Sequence, residues 1–342
     1  MLREVWPFVD GKRQAGQSVV LARLVARDGP GSRPLGATMA IAADGTWRGS
    51  VSGGCVEATV VETARSVLRG AAPHILPVSL GDHLLPWEDR PACAATLEVL
   101  IAPGPPAPVH RAITEALAED RPVTVRIGRR PPYRWSVTPM TGGDVADDGF
   151  VEQLPSRRRL LLVGATDLAA VLAEMAHRLE WAVVVVDPRP DHVAAGAMPP
   201  TAHVARAWPD SWLAEHPLGP HDAVVTLSHD PRIDDRAIRA ALGGDAGHVA
   251  ALGSRATHAQ RTRRLSGQPG LHRLVGPAGL DLGGASLAEA ALSILAEIVA
   301  AQNRRSGRRL RESGLPIRAT ATADPRLTPA GPVGGDDAVL TS

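Results

Sequence analysis

This chain has few cysteines, almost no net charge and no long apolar run. Two cysteines among 342 residues are too few for the disulfide framework of a small secreted protein. A formal net charge of +1 provides no basic field for nucleic acid. The longest strongly apolar run, residues 181–186, is far shorter than the roughly 18 residues that a membrane span requires. The sequence therefore predicts a protein that binds neither nucleic acid nor a membrane.

The first residues, Met1–Trp6, are charged early and lack the apolar segment of a secretory signal. Charged residues make up 21% of the chain and apolar residues 44%, which is typical of a globular protein. We therefore expect a cytoplasmic protein in which both thiols stay reduced.

The length is sufficient for two domains, and the hydrophobic pattern changes near residue 159. Short strand-like and helix-like segments predict an N-terminal mixed α/β domain over residues 1–140. A polar, glycine-containing stretch predicts a linker over residues 141–158. Residues 159–318 predict a C-terminal Rossmann-like domain with a parallel sheet, and residues 319–342 a disordered tail. The predicted fold class is thus α/β.

The turn after the first strand of the second domain resembles a dinucleotide-binding fingerprint in part. Gly164 keeps the first glycine of Gly-x-Gly-x-x-Gly, but Thr166 and Ala169 replace the second and third. Asp187 lies about 23 residues further on, where a ribose-binding carboxylate belongs. The pattern fits either an NAD(P) site or a Rossmann-like scaffold without a dinucleotide, and the lost glycine favours the scaffold.

The segment Gly53-Gly54-Cys55 is the most informative motif of the first domain. It precedes an apolar-periodic stretch, residues 56–68, which predicts a strand, a tight turn and a helix whose first turn holds Cys55. A helix N-terminus favours a thiolate, and neighbouring glycines let a ligand approach the backbone. Glu57 would suit the helix dipole and could orient a ligand, or it is an ordinary first-turn acid. Cys55 is accordingly a candidate for ligand capture, with a buried packing role as the alternative.

The second cysteine, Cys93, lies just before a predicted strand. Two thiols in one domain could form a redox pair or a soft-metal site. The alternative is that Cys93 packs as a small buried hydrophobe.

Two further motifs follow predicted strands of the second domain. Gly253-Ser254-Arg255 opens a helix and predicts either an anion site or an ordinary helix cap. His229, with Asp230 and the acidic pair 234–235, could bind a metal, but such residues more often form turns and caps. The arginines that follow, Arg261, Arg263 and Arg264, are predicted on a solvated helix face.

Taken together and in this order, the motifs resemble the XdhC/CoxI family, accessory factors of xanthine dehydrogenase and related molybdenum hydroxylases. The resemblance covers roughly residues 18–102 and 159–303. The segments that carry it are Gly31–Met39, Gly53–Glu57, Ser228–Asp230, Gly253–Arg255, Gly276–Asp281 and Ala288–Ile298.

This resemblance implies a maturation factor. Such a protein is more in keeping with a non-enzymatic role than with that of a metabolic enzyme. It implies that the protein binds the molybdenum cofactor (molybdopterin), protects its sulfurated form and delivers it to a molybdenum hydroxylase client. The expected partners are that client, a cysteine desulfurase and, in a homodimer, a second copy of the chain. The alternatives that remain open are an NAD(P)-dependent oxidoreductase and a dithiol redox or soft-metal protein.

The family cysteine corresponds to Cys55, which the resemblance makes the ligand of the molybdenum. The family often has Cys-Gly-Gly where this chain has Cys93-Ala94-Ala95, and usually Gly-x-Gly where this chain has Thr166. The cofactor-binding residues expected on this basis are Gly53, Gly54, Cys55, Glu57, Cys93, Gly164, Asp187, Gly253, Ser254 and Arg255.

Overall fold

The computed structural model describes residues 1–29, 33–79, 95–140, 149–195, 198–317 and 327–328. By its internal contacts the chain divides into two compact units, the first including Met1–Ser156 and the second spanning Arg157–Ile317. Each unit has its own sheets and its own core.

In the first unit the helices and strands are α1 (Leu2–Gln14), β1 (Val19–Asp28), β2 (Thr38–Ala42), β3 (Trp47–Gly49), α2 (Glu57–Leu68), β4 (His74–Ser79), β5 (Thr96–Pro103), α3 (Ala107–Ala118), β6 (Val123–Gly128), β7 (Trp135–Pro139), β8 (Gly149–Leu154) and, from the end of the chain, β15 (Leu327–Thr328).

In the second unit they are β9 (Arg159–Val163), α4 (Asp167–Arg178), β10 (Ala182–Val186), α5 (Pro190–Ala195), β11 (Ala202–Ala205), α6 (Pro209–Glu215), β12 (Ala223–Thr226), α7 (Pro231–Gly243), β13 (His248–Ala251), α8 (Arg255–Arg264), β14 (Leu274–Val275) and α9 (Leu287–Gln302), with short 3₁₀ helices at Leu271–Arg273 and Leu310–Glu312.

The first unit contains two antiparallel sheets, in the orders β3-β2-β1-β5-β4 and β15-β8-β6-β7. Strand β1 is central to the first of these and contributes apolar side chains to both faces. Val20, Ala22 and Leu24 pack in the core that contains α2, whereas Val19 and Leu21 pack in the core that contains α1 and α3. Helix α2, which follows the Gly-Gly-Cys turn, is therefore anchored by its apolar face to the central strands.

A buried ion pair joins β1 to β8 in this unit. The side chains of Arg23 and Glu152 are paired and almost completely buried, and the backbone N–H of Leu2 also donates to Glu152 at 3.0 Å. The Arg23 guanidinium lies over the rings of Phe150 and Trp135, at 5.0 and 5.7 Å. This pair is the only contact between charged side chains that we find at the centre of the described core of the first unit.

The predicted linker, 141–158, and the predicted tail, 319–342, need correction. Residues 149–154 form β8, because its apolar side chains are buried in the cores of the first unit. Within the tail, Leu327–Thr328 pair with the free edge of β8, whose backbone groups they satisfy. The other residues of the predicted tail lie outside the described residues.

The second unit has one parallel sheet of six strands, in the order β11-β10-β9-β12-β13-β14. Along β9, Leu160 and Leu162 face a core shared with α4 and α9. Leu161 and Val163 face a core shared with α6 and α7. The sheet is therefore covered by helices on both faces, as expected of a Rossmann-like domain.

Candidate functional site

The turn that presents Cys55 begins where β3 ends. Gly49 has a φ of +90°, and a Cβ there would lie 2.1 Å from the carbonyl oxygen of Thr38, so only glycine fits. Helix α2 begins at Glu57 with Val56 as its N-cap. Cys55 therefore precedes the helix instead of lying in its first turn, because Val56 has a non-helical backbone (φ −124°, ψ 1°).

The carboxylate of Glu57 organises this turn. It accepts hydrogen bonds of 2.6 to 3.2 Å, all donated by residues that lie just before the helix. The donors are the hydroxyls of Ser50 and Ser52 and the backbone N–H groups of Val51, Ser52, Gly53, Gly54 and Val56. Glu57 is buried, with 7% of its surface exposed. The carboxylate of Glu57 thus occupies the position at the start of α2 where an external anion would otherwise bind.

These contacts also determine the charge of Glu57. Its burial raises the pKa, but the hydrogen bonds from Ser50 and Ser52 outweigh that effect and lower the pKa from 4.5 to about 2. Glu57 is consequently ionised at neutral pH. The expectation that Glu57 orients a ligand directly needs correction, because its oxygens already accept bonds from the turn.

The thiol of Cys55 is free and exposed. Its backbone N–H donates to the hydroxyl of Ser52 at 3.0 Å, and the same hydroxyl accepts from the N–H of Val56. The N–H groups expected to favour a thiolate at this helix end are thus engaged by Ser52 and Glu57. What the turn offers a ligand is the sulfur atom itself.

Gly53 and Gly54 lie beside Cys55 on the exposed side of the turn. Their φ angles are +95° and +127°, in the region that glycine adopts most readily. A Cβ on Gly54 would meet no atom within 4 Å, so the space above this residue is open. An exposed soft donor therefore stands beside an accessible stretch of backbone.

Replacing Glu57 by alanine is expected to loosen this turn. The variant leaves a set of backbone N–H groups without their charged acceptor, a loss of roughly 3 kcal/mol, which is about a hundredfold in local opening. Hydrogen exchange of the peptide spanning residues 50–57, followed by mass spectrometry, measures this directly. Glu62→Ala is the matched control, since Glu62 is an exposed carboxylate of the same helix.

The same experiment has a defined pH dependence. The pKa of Glu57 is depressed in the folded protein, so its contribution is complete above about 4.5 and declines as the pH falls toward about 2. The difference in opening between wild type and Glu57→Ala should therefore shrink over that range. An equal difference at neutral pH and at the acid end would contradict the assigned role.

Cys93 falls outside the described residues, as do Ala94 and the residues before it down to 80. The predicted pairing of two thiols therefore remains a prediction.

In the second unit the structure brings Gly164 and Asp187 together, but with protein partners. Asp187 is fully buried and accepts from the backbone N–H of Ala165 at 2.8 Å and from Arg189 at 2.7 Å. Gly164 packs against the backbone of Ser228. The prediction that Asp187 binds a ribose therefore needs correction, because both of its carboxylate oxygens already accept hydrogen bonds from the protein.

The motif Gly253-Ser254-Arg255 follows β13 and opens α8, as predicted. Ser254 is the N-cap and its hydroxyl accepts from the N–H of Thr257 at 3.1 Å, while Arg255 is exposed. The predicted solvated face is wrong for Arg261, which is 2% exposed and donates to the carbonyl of Leu252 at 3.0 Å. Tertiary contact with the strand ends explains its burial.

Two of the residues predicted as metal ligands, Asp230 and Asp234, have structural roles. Asp230 caps α7 by accepting from the N–H of Arg232, and it pairs with the Arg232 side chain. Asp234 is buried and accepts from the hydroxyl of Ser228 at 2.7 Å. No group of three His, Cys, Asp or Glu side chains in the described part of the chain could hold a metal ion.

Two features of these sites do not follow from sequence reasoning. The hydroxyls of Ser50 and Ser52 help to build the Cys55 turn, and the only signal for this role is a pair of serines placed shortly before Glu57. Arg189, which follows Asp187 closely, pairs with that carboxylate. An arginine so close to the acid of a dinucleotide fingerprint is the signal that the acid has a partner.

Comparison with known proteins identifies the family. Residues 160–298 match the family model described as the XdhC Rossmann domain, and residues 12–79 match that of the XdhC and CoxI family. The chain belongs to the XdhC and CoxI family. Both the resemblance of the motifs and the Rossmann-like prediction for the second domain are thereby confirmed.

Two relatives of this XdhC and CoxI family member have names that describe a role. A protein of Bacillus subtilis (strain 168) described as a probable xanthine dehydrogenase subunit is 24% identical over 324 residues, covering 87% of this chain and 97% of the relative. The molybdenum cofactor insertion chaperone PaoD of Escherichia coli (strain K12) is 25% identical over 264 residues, covering 77% of this chain and 76% of PaoD.

A crystal structure of a xanthine dehydrogenase from Bacillus halodurans has the same fold as this family member. It superposes with a TM-score of 0.73 at 21% identity and covers 90% of this chain and 98% of its own. Among the described residues of our chain, no helix combines the length and the apolar character that crossing a membrane demands.

Proposed function

We propose that this protein is a molybdenum cofactor chaperone that uses Cys55 to hold the cofactor and delivers it to a molybdenum hydroxylase. The observation that carries the proposal is the exposed, free thiol of Cys55 on a turn built by Glu57, in a member of this family. The name of PaoD as a cofactor insertion chaperone supports the delivery role, and the name of the Bacillus subtilis relative supports a hydroxylase as client.

The chemistry of the turn fits the metal end of the cofactor. A thiolate is a soft ligand, and molybdenum bound by sulfur ligands accepts such donors. The open space above Gly54 leaves room for a bulky group beside the sulfur. When bound, the cofactor would supply the molybdenum centre, and Cys55, Gly53 and Gly54 would hold it.

The same turn does not fit the phosphate end of the cofactor. Its N–H donors all point to the carboxylate of Glu57 or to the hydroxyl of Ser52. The phosphate is therefore not expected to bind at this turn. Separately, we propose that the start of α8 in the second unit, where Ser254 caps the helix and Arg255 is exposed, is an anion site.

The remaining parts of the proposal follow from the delivery role. A cysteine desulfurase is the partner that would sulfurate the cofactor, and the cytoplasm is the compartment in which such a transfer takes place. Protection of the sulfurated form and formation of a homodimer belong to the same proposal. The oxidoreductase alternative lacks support because Asp187 is engaged by Arg189, and the dithiol alternative depends on Cys93, which lies outside the described residues.

The proposal is tested by the content of the purified protein. The full chain is expressed in cells that make the molybdenum cofactor and in cells that cannot, and molybdenum and pterin are measured in both preparations. We expect stoichiometric molybdenum and pterin from the first cells only, and activation of an added cofactor-free hydroxylase by that preparation. Molybdenum and pterin no higher than in an unrelated protein purified in parallel would overturn the proposal.

A further inference from the structure

The second unit has the strand order of a dinucleotide-binding fold. Its order β11-β10-β9-β12-β13-β14 corresponds to 3-2-1-4-5-6, with β9 as the first strand. In such folds the ligand lies in the crevice beyond the carboxyl ends of the first and fourth strands, here β9 and β12. The residues at these two strand ends therefore decide whether this unit accepts a dinucleotide.

The loop that follows β12 packs directly against the turn after β9. A Cβ on Gly164 would lie 2.8 Å from the backbone N of Ser228 and 2.9 Å from its Cα. The first glycine of a dinucleotide turn permits the tight turn, and the second permits the close approach of the ligand. This chain keeps the first as Gly164, against which Ser228 packs while donating to Asp234, but it has Thr166 in place of the second.

The position of the ribose carboxylate is also filled. One oxygen of Asp187 accepts from the N–H of Ala165 and from Nη2 of Arg189, and the other accepts from the backbone N–H and Nε of Arg189, all at 2.7 to 2.9 Å. Asp187 is completely buried. Neither oxygen of Asp187 is left to accept a hydrogen bond from a ribose hydroxyl. The backbone N–H of Ala165, in the turn, already donates to Asp187 itself.

The start of α4 is equally unsuited to a diphosphate. The hydroxyl of Thr166 accepts from the N–H of Ala169 at 3.2 Å and caps the helix. Asp167 follows in the first turn and places an exposed negative charge where the diphosphate would lie. The two residues thus satisfy the positive end of the helix from within the chain.

We propose that the second unit is a Rossmann scaffold whose dinucleotide site is closed by its own residues, so that it binds neither NAD(H) nor NADP(H). Thr166 and Asp167 occupy the helix end that would bind the diphosphate, and the Asp187–Arg189 pair fills the ribose site and locks the end of β10 to the turn after β9. This inference is independent of the proposed cofactor function, because it concerns other residues and can be tested without molybdenum.

The test is a calorimetric titration of the full chain with NADH and NADPH, with an NAD-dependent dehydrogenase as positive control. We expect no binding heat and no rise in melting temperature up to millimolar dinucleotide. Saturable binding with a Kd below about 100 µM would overturn the proposal. The wild-type titration decides the matter even where a variant fails to fold.

The locking role of Asp187 has a separate readout. Asp187→Asn should lower the melting temperature by several degrees and speed hydrogen exchange in residues 164–166, because the amide cannot serve all the donors that the carboxylate serves. Asp191→Asn, an exposed carboxylate slightly further along the chain, is the matched control and should change neither. Unchanged exchange in Asp187→Asn would refute the lock, and new NADH binding by that variant would refute the closure at the start of α4.

Discussion

Cys55→Ala protein purified from cofactor-producing cells is expected to retain almost no molybdenum. The substitution removes the one exposed soft donor of the turn, and a loss of retention of at least about tenfold is the expected consequence for a direct metal ligand. Pterin should fall in parallel. Both are measured per chain in wild type and variant prepared side by side.

The fold should not change in this variant. Cys55 is exposed, and alanine keeps the backbone N–H that donates to Ser52. Circular dichroism and the melting temperature should therefore match those of the wild type. A second variant, Cys55→Ala with Ala58→Cys, keeps an exposed thiol in α2 but moves it along the helix. If that variant or Cys55→Ala alone retains cofactor as well as wild type does, Cys55 is not the ligand.

Glu152→Ala is expected to destabilise the first unit by about 3–5 kcal/mol. The substitution leaves the guanidinium of Arg23 completely buried without its counter-charge, and it also removes the acceptor for the N–H of Leu2. Urea unfolding followed by circular dichroism measures the change, read from the transition of the first unit.

A matched double variant separates charge from packing. Replacing the pair with apolar residues, Arg23→Met with Glu152→Leu, removes both charges and should be far less destabilising than Glu152→Ala alone. Should the double variant prove as unstable as Glu152→Ala, the volume of the side chains and not the unpaired charge would explain the loss.

Periodicity predicted the elements that carry the site, but not their internal contacts. The apolar spacing over residues 56–68 located α2, the helix that follows Cys55. The predicted position of Cys55 in the first turn of α2 was wrong, since the helix begins only at Glu57. The apolar periodicity does not reveal this start, because it depends on a local contact. The carboxylate of Glu57 accepts hydrogen bonds from residues as far back as Ser50 and keeps the preceding residues out of the helix.

The second unit shows where sequence reasoning ends. Asp187 stands at the expected place after β10, yet its partners come from the turn after β9 and from Arg189. Arg261 belongs to a helix rich in arginine, and only the packing of that helix on the strand ends buries it. In both cases the identity of the residue was visible, whereas its neighbours depend on tertiary structure.

The turn around Cys55 also discriminates between ligands, because the anion that occupies it is part of the same chain. The carboxylate of Glu57 is covalently attached a few residues from the N–H groups that bind it, so its effective concentration there far exceeds that of any free anion. Phosphate, sulfate or nucleotides in solution would have to displace a competitor that cannot diffuse away. The thiol of Cys55 is thereby left as the available ligand of the turn, and it favours metals over anions.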